Sequence, residues 1–245
     1  MNILAVIPAR HASTRFPGKP LASVAGLPMI QRVHQRVVDS GAFQRVVVAT
    51  DDIRIANVVS EFNGEVIMTS VDCPNGTVRC HEAAEQLEAL GHTFDAVVNV
   101  QGDEPFVHPE QLQQLADMLH KPDAAVVTLA KSMPSGPDIQ SPHRVKVVRN
   151  MLGRALMFSR NPIPSGDGPW LQHIGLYGFT RTALEALVQL SPTALEKRER
   201  LEQLRWLDHG WRIDVGTTAH MTPAVDTPED LIAIEHLIAQ GHLTA

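Results

Sequence analysis

The N-terminal stretch Ile3-Leu4-Ala5-Val6-Ile7-Pro8-Ala9 decides the fold, because it is a continuous apolar run at the start of the chain. A run without alternating polar residues is typical of a strand buried on both faces. Comparable runs lie at residues 46–51, 65–69, 96–103 and 124–130. Amphipathic stretches separate these runs. The alternation predicts a three-layer α/β domain with a mainly parallel sheet.

Two of the intervening stretches have apolar residues at helical spacing. Met29, Ile30, Val33 and Val37 form one such set, and Leu112, Leu115, Met118 and Leu119 form another after the helix-opening His108-Pro109-Glu110. Proline is favoured in the first turn of a helix, so residue 109 predicts a helix start.

The pattern changes after residue 131. Residues 132–142 are rich in Ser, Pro and Gly, and strands are predicted at 145–148, 155–159 and 174–179 without a long helix between them. We therefore predict a small antiparallel insertion at 132–193, carried by a nucleotide-binding and catalytic domain made of residues 1–131 and 194–245.

The last part of the chain returns to the first pattern. It predicts a helix at 194–208, a strand at 213–216 and a closing helix that begins after Thr227. Thr227 is a suitable N-cap, Pro228 suits the first helical position, and acidic residues follow in the first turn.

Composition excludes several classes of protein. The chain has 245 residues, 44% of them hydrophobic, and a net charge of −6 from 21 Lys and Arg against 27 Asp and Glu. This balance argues against a nucleic-acid partner bound through a basic surface. The N-terminus has no basic region before its apolar run, so we expect no signal peptide, no membrane insertion and a cytoplasmic protein. Cys73 and Cys80 are too few for a disulfide framework.

The loop after the first strand is rich in cations. Arg10, Arg15 and Lys19 lie among small and hydroxyl residues between positions 8 and 21. Ligands of open α/β sheets bind at the carboxyl ends of strands, and such a loop can surround phosphate with amides and cations. It has neither the Walker A pattern nor Gly-x-Gly-x-x-Gly. The loop predicts a phosphate site, with a solvated basic turn as the alternative.

Acidic residues follow three predicted strands or loops. Asp103 ends the run 96–103, Asp226 precedes the closing helix, and Asp51 ends the run 46–51 with Asp52 directly after it. Mg²⁺ prefers one or two carboxylates together with phosphate and water oxygens, so Asp103 and Asp226 are candidate ligands. The alternatives are a helix-start acid for Asp226 and a capped turn for residues 49–52.

Eight motifs follow one another over nearly the whole chain. They are the first loop, Ala49-Thr50-Asp51-Asp52, Val100-Gln101-Gly102-Asp103-Glu104-Pro105, Val145-Lys146-Val147-Val148, Phe158-Ser159-Arg160, His173-Ile174-Gly175-Leu176-Tyr177-Gly178-Phe179, Leu201-Glu202-Gln203-Leu204-Arg205 and Val225-Asp226-Thr227-Pro228-Glu229-Asp230. In content and order these motifs resemble those of the 3-deoxy-manno-octulosonate (Kdo) cytidylyltransferases. The resemblance implies a glycosyltransferase-A-like domain with a mixed, mainly parallel sheet, and a homodimer formed through the insertion, which also contributes to the sugar pocket. It implies transfer of CMP from CTP to Kdo for lipopolysaccharide synthesis, with Mg²⁺ as cofactor.

The resemblance also implies roles for individual residues. Arg10, Ser13, Lys19 and Gln101 match nucleotide contacts, with Arg10, Lys19 and Asp103 as the catalytic set. Asp103 and Asp226 match Mg²⁺ ligands. Five residues match positions that line the sugar-acid pocket, namely Arg160, His173, Tyr177, Glu202 and Gln203. Taken singly, His173 and Tyr177 also fit a packed strand, and Glu202 and Gln203 a solvated helix face.

Two features leave alternatives open. The family's Ser-Gly-Thr-Asp/Glu-Arg element is Asn75-Gly76-Thr77-Val78-Arg79 here, and Gln172 stands where many members have a basic residue. The alternatives are a cytidylyltransferase for a related sugar acid, such as 8-amino-Kdo or a nonulosonate, a sugar-1-phosphate nucleotidyltransferase, and a nucleotide-binding relative without turnover.

Overall fold

The computed structural model describes residues 1–12, 16–220, 223–225, 227–241 and 243. Ser13 and Asp226, both assigned from sequence, lie outside the described residues. The chain forms two compact units, a first unit of Met1–Gln113 with Thr222–Ala245 and a second unit of Gln114–Met221. Within the described residues, no helix has the length and apolar character needed to cross a membrane.

Parallel strands form the sheet of the first unit. In chain order its strands and helices are β1 (Ile3–Ala9), β2 (Ser23–Val24), β3 (Leu27–Pro28), α1 (Met29–Asp39), β4 (Arg45–Thr50), α2 (Ile53–Glu61), β5 (Val66–Met68), α3 (Gly76–Ala89) and β6 (Ala96–Asn99). The parallel order is β6-β1-β4-β5, while β2 and β3 form a separate antiparallel pair. Helix α4 (Pro109–Leu119) continues into the second unit.

Strand β1 is buried, as expected for a strand inside the sheet that helices cover. Its first five residues are at most 1% exposed, although their side chains alternate between the two faces of the sheet. Helices α1 and α3 pack against β1, and the buried face of α1 consists of Met29, Ile30, Val33 and Val37, as the helical spacing predicts. The predicted α/β fold with a mixed, mainly parallel sheet is confirmed.

The C-terminal helix α8 (Pro228–Ala239) belongs to the first unit. Thr227 caps it as predicted, and the cap is reciprocal: Asp230 donates its amide to the Thr227 hydroxyl at 3.3 Å, and its carboxylate accepts the Thr227 amide at 2.8 Å. Ile234 of α8 packs with Val24, Met29 and Val225 in one apolar cluster.

The second unit has a largely antiparallel sheet. Its strands and helices are β7 (Val126–Met133), β8 (Lys146–Arg149), β9 (Ala155–Ser159), β10 (Trp170–Thr180), α5 (Arg181–Leu187), α6 (Ala194–Glu199), α7 (Gln203–Asp208) and β11 (Ile213–Thr217). Strand β10 pairs antiparallel with β7 and β8, and β8 with β9, whereas β11 runs parallel to β7.

One predicted strand ends earlier than expected, and one predicted helix is divided in two. The strand predicted at 96–103 ends at Asn99, because the chain turns at Gln101, whose carbonyl accepts the Glu104 amide at 3.2 Å. The helix predicted at 194–208 is two helices, because Arg200 has φ 54° in the left-handed region. The two compact units divide the chain at other residues than the predicted 131 and 193, and the insertion at 132–193 as a domain stays a prediction.

Candidate active site

A cavity of about 300 Å³ lies in the first unit, at the carboxyl ends of β1 and β6. Its lining includes Arg10, Lys19, Asn75, Arg79, Gln101 and Asp103. Four residues assigned from sequence to the nucleotide or its metal, Arg10, Lys19, Gln101 and Asp103, therefore share one cavity. This is the edge at which α/β sheets bind ligands.

The loop between Arg10 and Lys19 is closed by backbone contacts. Gly18 donates its amide to the His11 carbonyl at 3.0 Å and adopts φ 71°. That conformation favours glycine. A single turn of helix, Lys19–Leu21, follows directly, so Lys19 is held at the cavity while Arg10 is exposed.

Lys19 and Asp103 form an ion pair at the cavity. The Lys19 Nζ lies 2.6 Å from Asp103 Oδ2 and also donates to the Val225 carbonyl at 2.9 Å. The Val225 amide in turn donates to the Asp103 carbonyl at 2.9 Å. The three residues are thus joined although they are far apart in the sequence, and Val225 directly precedes Asp226.

Helix α3 begins at the same cavity. The Asn75 side chain accepts the Val78 amide at 2.9 Å and caps the helix. A Cβ atom on Gly76 would lie 3.2 Å from Pro8 Cγ and 3.3 Å from Asn99 Nδ2. Glycine therefore permits the close approach of α3 to the ends of β1 and β6. The N-terminus of a helix of this length favours anions.

Arg79, which has no predicted role, is 3% exposed and lines the cavity. Its Nη1 donates to Thr69 Oγ1 at 2.6 Å, and its Nη2 lies 3.3 Å from Asp51 Oδ2. The acidic end of β4 is thereby explained: Asp51 pairs with Arg79, and Asp52 caps α2 by accepting the Arg54 amide. The hydrogen bond from Arg54 lowers the pKa of Asp52 to about 2.

Glu104 was also not assigned a role from sequence. It is 8% exposed, and its Oε2 has no hydrogen-bond partner among the described residues. Burial, and then the charge of Asp103, raise the pKa of Glu104 to about 8. At neutral pH Glu104 is therefore mostly protonated. The neighbouring Gln101 donates to Asn99 Oδ1 at 3.2 Å.

In the second unit, His173 and Tyr177 lie together on β10. Their ring centroids are 5.3 Å apart, and Phe158 lies edge-on to His173 at 5.0 Å. Burial lowers the pKa of His173 to about 3, so the ring is neutral. The Tyr177 hydroxyl is buried without a hydrogen-bond partner among the described residues. Burial and the nearby charge of Glu202 raise the pKa of Tyr177 well above its ordinary value.

Glu202 and Gln203 mark the start of α7. Gln203 is 6% exposed, so the solvated-face alternative is wrong for this residue, whereas Glu202 keeps a partly exposed side chain. The structure thus brings three of the five predicted sugar-acid residues, His173, Tyr177 and Glu202, into one neighbourhood.

Arg160 is held by backbone groups. Its guanidinium donates to the carbonyls of Glu199, Pro142 and Arg200 at 2.9, 2.9 and 3.3 Å, and its amide donates to Glu199 Oε2 at 2.9 Å. The fully buried Lys146 donates to the Arg160 carbonyl at 2.5 Å. In this arrangement Arg160 joins the end of β9 to the segment that precedes Glu202.

Comparisons with known proteins agree with this geometry. A sequence-family model described as Cytidylyltransferase matches residues 4–213. The 3-deoxy-manno-octulosonate cytidylyltransferase of Parabacteroides distasonis is 46% identical, with 94% of this chain and 96% of that protein covered. The enzyme of the same name from Porphyromonas gingivalis is 44% identical, with 98% of each chain covered.

A solved structure gives the same result. It is described as CMP:2-keto-3-deoxy-manno-octonic acid synthetase complexed with CTP, and it superimposes with a TM-score of 0.91 at 38% identity. The alignment covers 98% of this chain and 100% of the other. The chain belongs to the 3-deoxy-manno-octulosonate cytidylyltransferase family.

Proposed function

We propose that this protein transfers CMP from CTP to the anomeric hydroxyl of Kdo, giving CMP-Kdo and pyrophosphate for lipopolysaccharide synthesis. The hydroxyl oxygen forms a bond to the α-phosphorus, the bond between the α-phosphorus and the bridging oxygen breaks, and the hydroxyl proton is released. The observation that carries the proposal is the cavity of the first unit, where Arg10, Lys19 and Asp103 meet the start of α3.

The cavity suits a triphosphate. Arg10 offers a planar fork of donors, Lys19 offers a point charge, and the capped start of α3 offers backbone amides and a favourable dipole. Charge builds up on the leaving pyrophosphate as the bond breaks, and fixed cations stabilise that charge. We therefore assign phosphate binding and leaving-group stabilisation to Arg10 and Lys19, with Ser13 in the same loop and Gln101 as a nucleotide contact.

The residues at the cavity also fit a Mg²⁺ ion. Asp103 is a partly exposed carboxylate that uses Oδ2 for Lys19, and Oδ1 has no hydrogen-bond partner among the described residues. One or two carboxylates with phosphate and water oxygens are the usual Mg²⁺ ligands. We propose that Asp103 and Asp226 hold Mg²⁺, which when bound neutralises phosphate charge and lowers the pKa of the incoming hydroxyl.

The second unit supplies groups that suit a sugar acid. A neutral imidazole, a phenol without a hydrogen-bond partner in the described part of the chain and a carboxylate offer both donors and acceptors to a row of hydroxyls. We propose as contacts to Kdo the five residues Arg160, His173, Tyr177, Glu202 and Gln203. Arg160 also positions the segment at residues 199–203, because its guanidinium is bound to backbone carbonyls.

We also propose a homodimer formed through the hairpin of β8 and β9. Met151, Leu152 and Leu156 on this hairpin are 101%, 72% and 59% exposed. A cluster of exposed apolar residues is typical of an interface. Sedimentation should give a dimer for the wild type and a monomer for the double variant Met151→Asp and Leu156→Asp, and a wild-type monomer would contradict the proposal.

A cytoplasmic location and the absence of nucleic-acid and membrane partners stay predictions.

The deciding experiment measures pyrophosphate release with Mg²⁺, Kdo and either CTP, UTP or ATP. We expect release with CTP at a rate at least about 100-fold above that with the other nucleotides. Parallel reactions contain CTP with 8-amino-Kdo or a nonulosonate. If pyrophosphate release is faster with either of these acids than with Kdo, that acid is the acceptor. CTP binding without pyrophosphate release from any acid would indicate a relative without turnover.

A further inference from the structure

The strand pair of β7 and β10 contains a β-bulge next to His173. The register pairs Ile174 with Leu129 and Tyr177 with Thr128, so Gly175 and Leu176 have no register partner on β7. Bulges leave backbone groups unpaired and reorient side chains, and they occur often beside functional sites. The bulge here separates the two aromatic residues assigned to the sugar acid.

The hydroxyl group of Thr128, which is fully buried, fills this bulge. Its Oγ1 lies 2.7 Å from the Leu176 carbonyl oxygen, 3.2 Å from the Ile174 carbonyl oxygen and 3.0 Å from His173 Nε2. A threonine hydroxyl has one proton, and carbonyl oxygens can only accept. The three contacts therefore constrain the position of the Thr128 hydroxyl proton and of the proton on the His173 ring.

The shortest contact decides the assignment. Two oxygen atoms at 2.7 Å are at the usual distance of an O–H···O hydrogen bond, and without a proton between them their lone pairs would repel. The Thr128 proton is therefore donated to the Leu176 carbonyl. Oγ1 is left as an acceptor toward His173, and Nε2 must donate.

We infer that Thr128 holds His173 as the Nε2–H tautomer, so that Nδ1 accepts a hydrogen bond from a hydroxyl group of the sugar acid. The role toward the ligand rests on the proposed function, whereas the tautomer does not. Within the described part of the chain, Nδ1 has no hydrogen-bond partner, and His173 is partly exposed. It therefore keeps access to a ligand.

The surroundings of His173 support this assignment. Burial keeps the ring neutral, so that only one nitrogen carries a proton. The Phe158 and Tyr177 rings pack against the imidazole, and the His173 amide is bonded to the Val145 carbonyl at 2.8 Å. An acceptor nitrogen selects a hydroxyl and repels a carboxylate, so Thr128 acts as a positioning residue for the orientation of the acid.

The first test measures the tautomer in the wild-type chain without substrate. Long-range ¹H–¹⁵N correlation of ¹⁵N-histidine-labelled protein distinguishes the two ring nitrogens, and the signals of His173 are identified by their loss in His173→Gln. We expect a protonated Nε2 and an unprotonated Nδ1. A protonated Nδ1 would overturn the inference, whatever the enzyme does with Kdo.

The second test compares Thr128→Val, which removes the hydroxyl, with Thr128→Ser, which keeps it. For Thr128→Val we expect loss of the single tautomer and a KM for Kdo raised about 10-fold, with the KM for CTP unchanged. Thr128→Ser should restore both wild-type values. An unchanged tautomer in Thr128→Val, or a serine variant that behaves like the valine variant, would refute the positioning role.

Two outcomes separate this inference from the proposed function. If Thr128→Val does not fold, the wild-type tautomer and the KM of Thr128→Ser still decide. If no variant and no wild-type protein turns over Kdo, the proposed function fails, while the tautomer measurement still stands or falls by itself.

Discussion

The nucleotide cavity of the first unit and the sugar-acid residues of the second unit differ in the groups that they offer to a ligand. The cavity contains Arg10 and the ion pair of Lys19 with Asp103, whose side chains are 14% and 28% exposed. The second unit instead uses a neutral, partly exposed imidazole and a buried phenol that has no hydrogen-bond partner among the described residues. A polyphosphate is bound by formal charges, whereas a row of hydroxyls is bound by hydrogen-bond donors and acceptors at fixed positions.

The largest expected effect comes from the charged side of this comparison. Asp103→Asn should lower kcat on the order of 1,000-fold, because it removes the proposed metal ligand and the partner of Lys19. The thermal midpoint of unfolding should stay close to that of the wild type, because the side chain is partly exposed. Measuring kcat and the midpoint together checks both statements, and near-normal turnover at saturating Mg²⁺ would refute the role.

A second charged variant tests leaving-group stabilisation. Lys19→Met should lower kcat/KM for CTP by about 100-fold, since one fixed donor to the developing charge is lost. Lys121→Met is the matched control, because Lys121 is an exposed lysine of the second unit. Steady-state rates of pyrophosphate release should separate the two variants. Equal activities would contradict the assignment of Lys19.

Tyr177→Phe tests the neutral side of the comparison. It should raise the KM for Kdo about 10-fold and leave the KM for CTP unchanged. The free energy of unfolding should not fall, because the removed hydroxyl is buried and none of the described residues forms a hydrogen bond with it. Urea unfolding and initial rates measure the two effects. A destabilised variant with normal KM for Kdo would indicate that Tyr177 only packs.

The smallest expected effect is a pH dependence of stability from His173. Its pKa is about 3 in the folded protein and about 6.5 when the chain is unfolded. Between these values the unfolded state binds more protons, so the free energy of unfolding falls as pH falls from 6.5, by at most about 1.4 kcal/mol per pH unit. Above pH 6.5 this contribution is complete.

The measurement is urea unfolding between pH 5 and 7. His173→Gln should reduce the slope of the unfolding free energy against pH, whereas His143→Gln, at an exposed histidine of the same unit, should leave it unchanged. Identical slopes for all three proteins would show that His173 is not buried as a neutral ring.

Much of the fold was predictable because its signals are local. The continuous apolar run of β1 has the predicted bounds, Ile3–Ala9, and Thr227 caps α8 through residues three positions apart. The split between α6 and α7 was not predicted, since the left-handed conformation of Arg200 leaves no local pattern in the sequence.

The candidate site was predictable in part for the same reason. Arg10, Lys19, Gln101 and Asp103 follow strands whose carboxyl ends meet at one sheet edge, so their placement follows from topology. The binding of the sugar acid by Arg160 stays a prediction, whereas its three backbone acceptors, 18 to 40 residues away, were not predicted. No spacing rule reveals such contacts.

The amino-acid sequence by itself determined the alternation of strands and helices, the cationic first loop and the acidic ends of strands, because these depend on neighbours along the chain. Only the tertiary structure decided the pairing of Arg79 with Asp51, the raised pKa of Glu104 and the contact of Thr128 with His173. Those properties depend on desolvation and on protons shared between residues that are distant in sequence, and both arise only when the elements pack.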